Sequence, residues 1–208
     1  MSGLAKIKEM PKARIGVYSA GLHAYWEQFE GLLDCLMGYN RFIEKKLSEF
    51  GEVYNFGLVD TEDKGREAGE YFNKHNVDIV FSHAATYYTS ACVLPVHQIN
   101  KAPVIILNLQ PTPEMSYETT GTDRWLAQCV GCSIPEISNA FNRAGIPFRG
   151  VNGLLGLPET PSFAKADEVT CERPEVIKAW KEIEEWCKAA RVKRTLQYAR
   201  FGFITSRN

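Results

Sequence analysis

The tightest constraint on the fold is a rhythm in the chain. Short apolar runs recur at Arg14-Ile15-Gly16-Val17-Tyr18, Glu52-Val53-Tyr54-Asn55-Phe56, Val77-Asp78-Ile79-Val80-Phe81-Ser82 and Val104-Ile105-Ile106-Leu107. Their starts lie about 25 to 40 residues apart, with helix-length segments between them. Such spacing calls for crossover connections, hence a parallel sheet covered on both faces. The expected class is α/β: an open, doubly wound parallel sheet of the Rossmann or flavodoxin-like three-layer kind, with a C-terminal helix after a Gly/Pro-rich linker.

The intervening segments carry helical signals. Phe29, Leu32, Leu33, Leu36, Ile43, Leu47 and Phe50 fall at helical spacing opposite Glu44, Lys45, Lys46 and Glu49, which predicts a helix over 27–50 that Gly38 interrupts and Gly51 ends. Thr61 opens a second helix to about His75, and a short third one spans 89–99 around Pro95. Segments 122–129 and 133–144 read as helical, and 147–151 as a fifth strand. Glycines and prolines crowd 150–174, and Pro174 then opens a helix striped by Val176, Trp180, Ile183, Cys187 and Ala190. The division expected is an α/β domain over 1–149, a linker over 150–173, and, over 174–208, that helix and the start of a second, absent domain. The last part rests on Ala199-Arg200-Phe201-Gly202-Phe203-Ile204, which repeats the style of the first strand.

Charge and composition exclude some classes. The 208 residues hold 24 basic and 25 acidic side chains, for a net charge of −1, so there is no basic excess to neutralise nucleic-acid phosphates. No apolar run approaches the roughly 18 residues of a membrane helix. The amino terminus lacks the apolar core of a signal peptide, and a cytoplasmic location is expected. The six cysteines, Cys35, Cys92, Cys129, Cys132, Cys171 and Cys187, are scattered. Only Cys129 and Cys132 stand at a chemically suggestive spacing. They lack a second ligand pair for zinc and a preceding strand for a redox motif, so they read as packed thiols at a helix boundary, with a redox or zinc function as the further alternative.

In an open parallel sheet, ligands sit outside the carboxyl ends of the strands. The residues there are Ser19 to Trp26 after the first strand, His83 to Thr89 after the third, and Asn108 to Thr112 after the fourth. They offer imidazole, phenol, hydroxyl and amide groups with few carboxylates, a set suited to a neutral polyhydroxylated ligand. The substrate-binding candidates are His23, Tyr25, Trp26, His83 and Gln110; each also has a plain structural reading as a capping, stapling or packing residue. His75 and His97, on helical segments, read as structural. There is no G-x-G-x-x-G, G-x-x-x-x-G-K-[ST] or G-x-S-x-G motif, and no metal-ligand set converges at one mouth.

The stretches Gly16 to Trp26, Leu107 to Thr112 and Gly131 to Phe141 resemble the amino-terminal domain of the L-arabinose and L-fucose isomerase family, a similarity running from about Arg14 to Ile204. That resemblance implies aldose–ketose isomerisation through an enediol, with a divalent cation, typically manganese, that polarises the substrate oxygens. Its glutamate and histidine ligands would lie in later domains, so this chain is expected to hold no catalytic or metal-binding residue and to be inactive alone. The implied partner is a monosaccharide, pentose or hexose, in a homo-oligomer whose site is completed between subunits. By position, His23, Tyr25 and Gln110 would orient sugar hydroxyls. Leu22 replaces a glutamine of some arabinose-specific members, and Glu136 is a sugar contact or a helix cap. The alternative expectation is a non-catalytic sugar-binding or regulatory module.

Overall fold

The structure is a computed structural model that describes residues 10–116, 118–159 and 170–200. Five strands form one sheet: β1 (Arg14–Ala20), β2 (Glu52–Val59), β3 (Ile79–Ala84), β4 (Val104–Gln110) and β5 (Phe148–Leu154). Their spatial order is β2-β1-β3-β4-β5, and every neighbouring pair is parallel. The helices are α1 (Leu32–Leu47), α2 (Glu62–Lys74), α3 (Ser90–Ile99), α4 (Thr122–Leu126), α5 (Ile134–Arg143) and α6 (Pro174–Gln197). The chain is thus α/β, with a five-stranded parallel sheet and a C-terminal helix, as the spacing of the apolar runs implies.

The period-2 alternation of strand side chains divides the core in two. Ile15, Val17, Ile79, Phe81, Ile105, Leu107 and Val151 share one cluster with Leu36, Ile43 and Leu47 of α1 and with Trp180, Ile183 and Cys187 of α6. Tyr18, Val80, Ala84, Val104 and Ile106 share the other with Phe72 of α2, Val93 and Val96 of α3, and Ile137 and Phe141 of α5. The three central strands β1, β3 and β4 are buried almost end to end, which is why their sequences read as continuous apolar runs rather than alternating ones.

Several boundaries differ from those read in the sequence. Helix α1 begins at Leu32, because the chain first makes a 3₁₀ turn at His23–Tyr25. Gly38 lies inside it without breaking it: the roughly 1 kcal/mol that a helical glycine costs relative to alanine is outweighed by burial of Leu36, Tyr39 and Ile43 around it. Strand β2 runs three residues past Phe56. Its register against β1 slips between Val17 and Tyr18, where Gly57 takes a φ of 92°, a conformation glycine supplies without a Cβ clash. Strand β5 extends to Leu154, so Gly150 and Gly153 belong to the sheet and the Gly/Pro-rich segment begins after them. Residues 201–204 of the proposed terminal strand lie outside the described residues, as does 160–169 of the linker; Ala199 and Arg200 are in no strand.

Helix α6 is tied to the amino edge of the sheet. Arg194 donates from Nη1 to Oδ1 of Asp78 at 2.9 Å, and Asp78 Oδ2 accepts the backbone N–H of Arg14 at 2.7 Å. The paired side chains are only 9% and 5% exposed. Among the described residues, no helix is long and apolar enough to cross a membrane.

Candidate functional site

The carboxyl edge of the sheet gathers the loops after β1, β2, β3 and β4. Immediately after β2 comes Asp60, whose side chain is 1% exposed, followed by Thr61, which caps α2 by accepting the Lys64 N–H. Three donors converge on this carboxylate. Trp26 Nε1 lies 2.7 Å from Oδ2, His23 Nδ1 3.3 Å from the same oxygen, and Lys64 Nζ 2.7 Å from Oδ1. Burial works to raise the Asp60 pKa, but the hydrogen bonds from Lys64 and Trp26, the Lys64 charge and the His23 contact outweigh it and hold it below the usual carboxylate value.

An ionised carboxylate only accepts hydrogen bonds, so His23 Nδ1 carries the proton facing Asp60, and in the neutral ring Nε2 is the acceptor. The His23 side chain is 68% exposed. It is therefore an imidazole gripped at one nitrogen and open at the other. Gly21 makes this possible. A Cβ there would stand 2.7 Å from Trp26 Cη2, so only glycine lets the indole fold back over the end of β1 to reach Asp60.

Beside this group runs a rim of phenols. Tyr25 packs edge-on against Phe29, ring centroids 6.0 Å apart. Partial burial, and then the neighbouring Tyr87, raise the Tyr25 pKa. Tyr87 donates to Glu136 Oε2 at 3.4 Å, while Glu136 Oε1 accepts the Ser90 N–H at 2.8 Å. Glu136 thus caps the first turn of α3 from a different helix, the capping alternative of the two considered for it. Open clefts occur elsewhere, as at the amino edge between Lys101, Phe148, Arg149 and Trp186; the imidazole stands on loop surface instead.

Of the residues proposed from sequence, His23, Trp26 and Tyr25 are brought together at this edge. Gln110 ends β4 half-buried; its carbonyl accepts the Leu155 N–H at 2.8 Å, and its amide lies beneath Gly131, with Nε2 3.9 Å from where a Cβ at that glycine would stand. His83 is placed apart, 1% exposed under the edge, where its Nδ1 meets Ser19 Oγ at 2.8 Å. Burial pushes its pKa down to about 3. Asn40 also donates to Ser19 Oγ, at 2.9 Å, and accepts from Asn55 at 2.7 Å, so these polar groups form an interior chain. His97 is buried and bonded to the Tyr18 hydroxyl at 3.0 Å, and His75 stacks on Tyr54 with centroids 4.4 Å apart; both fill the structural roles read for them.

Sequence reading missed Asp60 and Lys64. It ended the second strand at Phe56 and opened the second helix at Thr61, and assigned Asp60, the residue between, no role. The available signal was Val59-Asp60-Thr61, a carboxylate between the last apolar residue of a strand and a helix cap. It also read Cys129 and Cys132 as two packed thiols, whereas the structure joins them in a disulfide.

No family model and no curated protein matches the sequence. Solved structures that match include a candidate acylhydrolase from Bacteroides fragilis, at 12% identity and TM-score 0.43 over 90% of this chain and 92% of that one. Another is a GDSL-like lipase from Bacteroides thetaiotaomicron, at 15% identity and TM-score 0.43 over 86% and 88%. A third is TesA, at 14% identity and TM-score 0.35 over 88% and 98%. These findings correct the isomerase expectation. Where it placed L-arabinose and L-fucose isomerases, the matching structures carry acylhydrolase and lipase descriptions. The assignment to that family, the aldose–ketose isomerase activity and the role as its substrate-contacting domain are therefore set aside, and the sugar-binding module offered as alternative gains nothing from them. With TM-scores below 0.5, none of the three lends this chain an activity of its own. Manganese entered only with the family resemblance. Among the described residues, no three His, Cys, Asp or Glu side chains converge on one point where an ion could sit.

Proposed function

We propose that the chain is an acid–base catalyst acting on a small polar, carbonyl- or hydroxyl-bearing substrate at the carboxyl edge of the sheet. His23 is the proton-transferring group and Asp60 its positioning residue. The observation that carries this reading is the His23 imidazole, held through Nδ1 by a buried carboxylate while its exposed ring leaves Nε2 to solvent. The strand order supports it. β2-β1-β3-β4-β5 is the order of doubly wound flavodoxin-like sheets, whose ligands lie where the connections diverge, between β1 and β3; His23 follows β1 directly.

In the proposed step, Nε2 takes a proton from a water or hydroxyl as that oxygen attacks or rearranges, and then returns it to the leaving or newly formed oxygen. Asp60 keeps the ring in the tautomer that presents a lone pair outward, and it stabilises the imidazolium formed in passing. Lys64, on the far carboxylate oxygen, keeps Asp60 ionised. Tyr25 and Gln110 are the groups proposed to orient substrate oxygens, and Trp26 to cover its C–H surface.

The test uses p-nitrophenyl acetate as a probe of water activation at a carbonyl. His23→Ala is expected to lower turnover by about 10² to 10⁴-fold, and Asp60→Asn to lower kcat with KM little changed, while circular dichroism of both stays native. Turnover by His23→Ala equal to that of the unaltered chain would overturn the assignment.

A further inference from the structure

We propose that Cys129 and Cys132 form a thiol–disulfide exchange site, in which Cys132 meets a low-molecular-weight thiol or disulfide and Cys129 is the resolving sulfur. The inference is independent of the acid–base reading. It begins from pairing: the two cysteines, three positions apart, are joined with their Cα atoms separated by 5.7 Å, within the usual Cα range for a disulfide. Four other cysteines, Cys35, Cys92, Cys171 and Cys187, stay free, so bridging is specific to this pair.

The two sulfurs have different surroundings. Cys132 is exposed, whereas Cys129 is 6% exposed and belongs to the 3₁₀ turn Cys129–Gly131. A solvent-facing sulfur backed by a sheltered one is the arrangement that exchange requires, since only the outer sulfur can be attacked by a diffusing thiol.

The loop is also anchored on both sides of the pair. Gln128 accepts from the Thr112 hydroxyl, and Ser133 Oγ accepts the Tyr88 N–H at 2.9 Å. The bridge can therefore open without the flanking chain leaving its place. Gly131, between the sulfurs, lies over β4, where a Cβ would be 3.9 Å from both Asn108 Oδ1 and Gln110 Nε2. The site is thus part of the carboxyl edge.

The exchange balances as follows. In the dithiol form, the Cys132 thiolate attacks one sulfur of a small disulfide, forming a mixed disulfide and expelling one thiolate. The Cys129 thiolate then attacks Cys132 Sγ, closing the bridge and expelling the second. Two electrons pass from the cysteine pair to the small disulfide, and the two cysteine protons go to the two thiolates released. Two equivalents of thiol reverse the sequence.

The experiment is trapping by glutathione disulfide, read by intact mass, in a Cys35→Ser, Cys171→Ser background that removes the two accessible free thiols. After reduction, this background is expected to lose two hydrogens on exposure to glutathione disulfide, and to regain them with excess glutathione. The pair lies alone in the tryptic peptide 125–143, which locates the change without any further substitution. Adding Cys129→Ser should leave one glutathione fixed on Cys132, and Cys132→Ser should take it up at least about tenfold more slowly. Peptide 125–143 remaining a dithiol in the folded background would overturn the proposal, as would equal adduct formation on both variants. Neither readout depends on turnover of p-nitrophenyl acetate, so failure here leaves the His23 assignment standing, and the converse.

Discussion

His23 and His83 show how one side-chain type takes opposite roles at neighbouring strand ends. His23 is exposed and leans on a carboxylate; His83 is enclosed, with its Nε2 lacking any hydrogen-bond partner. Enclosure sets a pH dependence. Burial lowers the pKa of His83 to about 3, and burial followed by the Lys101 charge does the same for His97, while the unfolded chain has ordinary imidazoles near 6.5. Below about pH 6.5 the unfolded state binds the extra protons, so stability falls as pH drops and continues to fall towards pH 3. Each histidine adds a slope approaching about 1.4 kcal/mol per pH unit. Urea unfolding at several pH values between 7.5 and 4.5 should show this loss, with His83→Gln removing close to half the slope. An unchanged slope would mean that His83 is protonated in the fold. Sequence offered both histidines at strand ends and could not tell them apart, because the difference lies in cover: His83 is inside β3 and enclosed, whereas His23 stands in a 3₁₀ turn past the end of β1.

At the scale of elements, β4 and α6 were the most legible parts. Val104-Ile105-Ile106-Leu107 has no polar interruption because both faces of β4 are covered, and Ile106 is 1% exposed. Ile106→Ala should cost about 2 to 5 kcal/mol by leaving a cavity, measurable by chemical unfolding; a loss below 1 kcal/mol would mean that the core collapses around it. The apolar stripe of α6 was equally readable. Its anchor was not, since Arg194 and Asp78 are 116 positions apart and neither stands out locally. Arg194→Met should lower stability by about 3 to 5 kcal/mol by leaving the Asp78 carboxylate short of its partner, and adding Asp78→Asn should restore part of it. Differential scanning calorimetry on the two variants separates this from lost packing, for which the second change would bring no recovery. The ends of β2 and β5 were misread for a related reason: Gly57 and Gly153 look like punctuation, yet edge strands tolerate glycine where a bulge, as at Gly57, or a close helix approach, as at Gly153, demands it.

For the molecule as a whole, the parallel α/β architecture follows from spacing alone, because four buried runs that far apart admit few other connections. The chemistry was less legible. His23, Tyr25 and Trp26 were visible as strand-end residues, but the partner that gives His23 its orientation comes from a different strand, and adjacency across a sheet is not written in linear order. Family likeness also misled: long matching stretches suggested an isomerase domain, whereas solved structures that match carry acylhydrolase and lipase descriptions.

The Arg194–Asp78 clamp sits at the rim opposite the His23 imidazole. The tie between α6 and the amino edge is therefore separate from the loops that carry the proposed site. Such a chassis lets its working face be rewritten, by insertion or exchange of whole connections, while the frame keeps its melting behaviour.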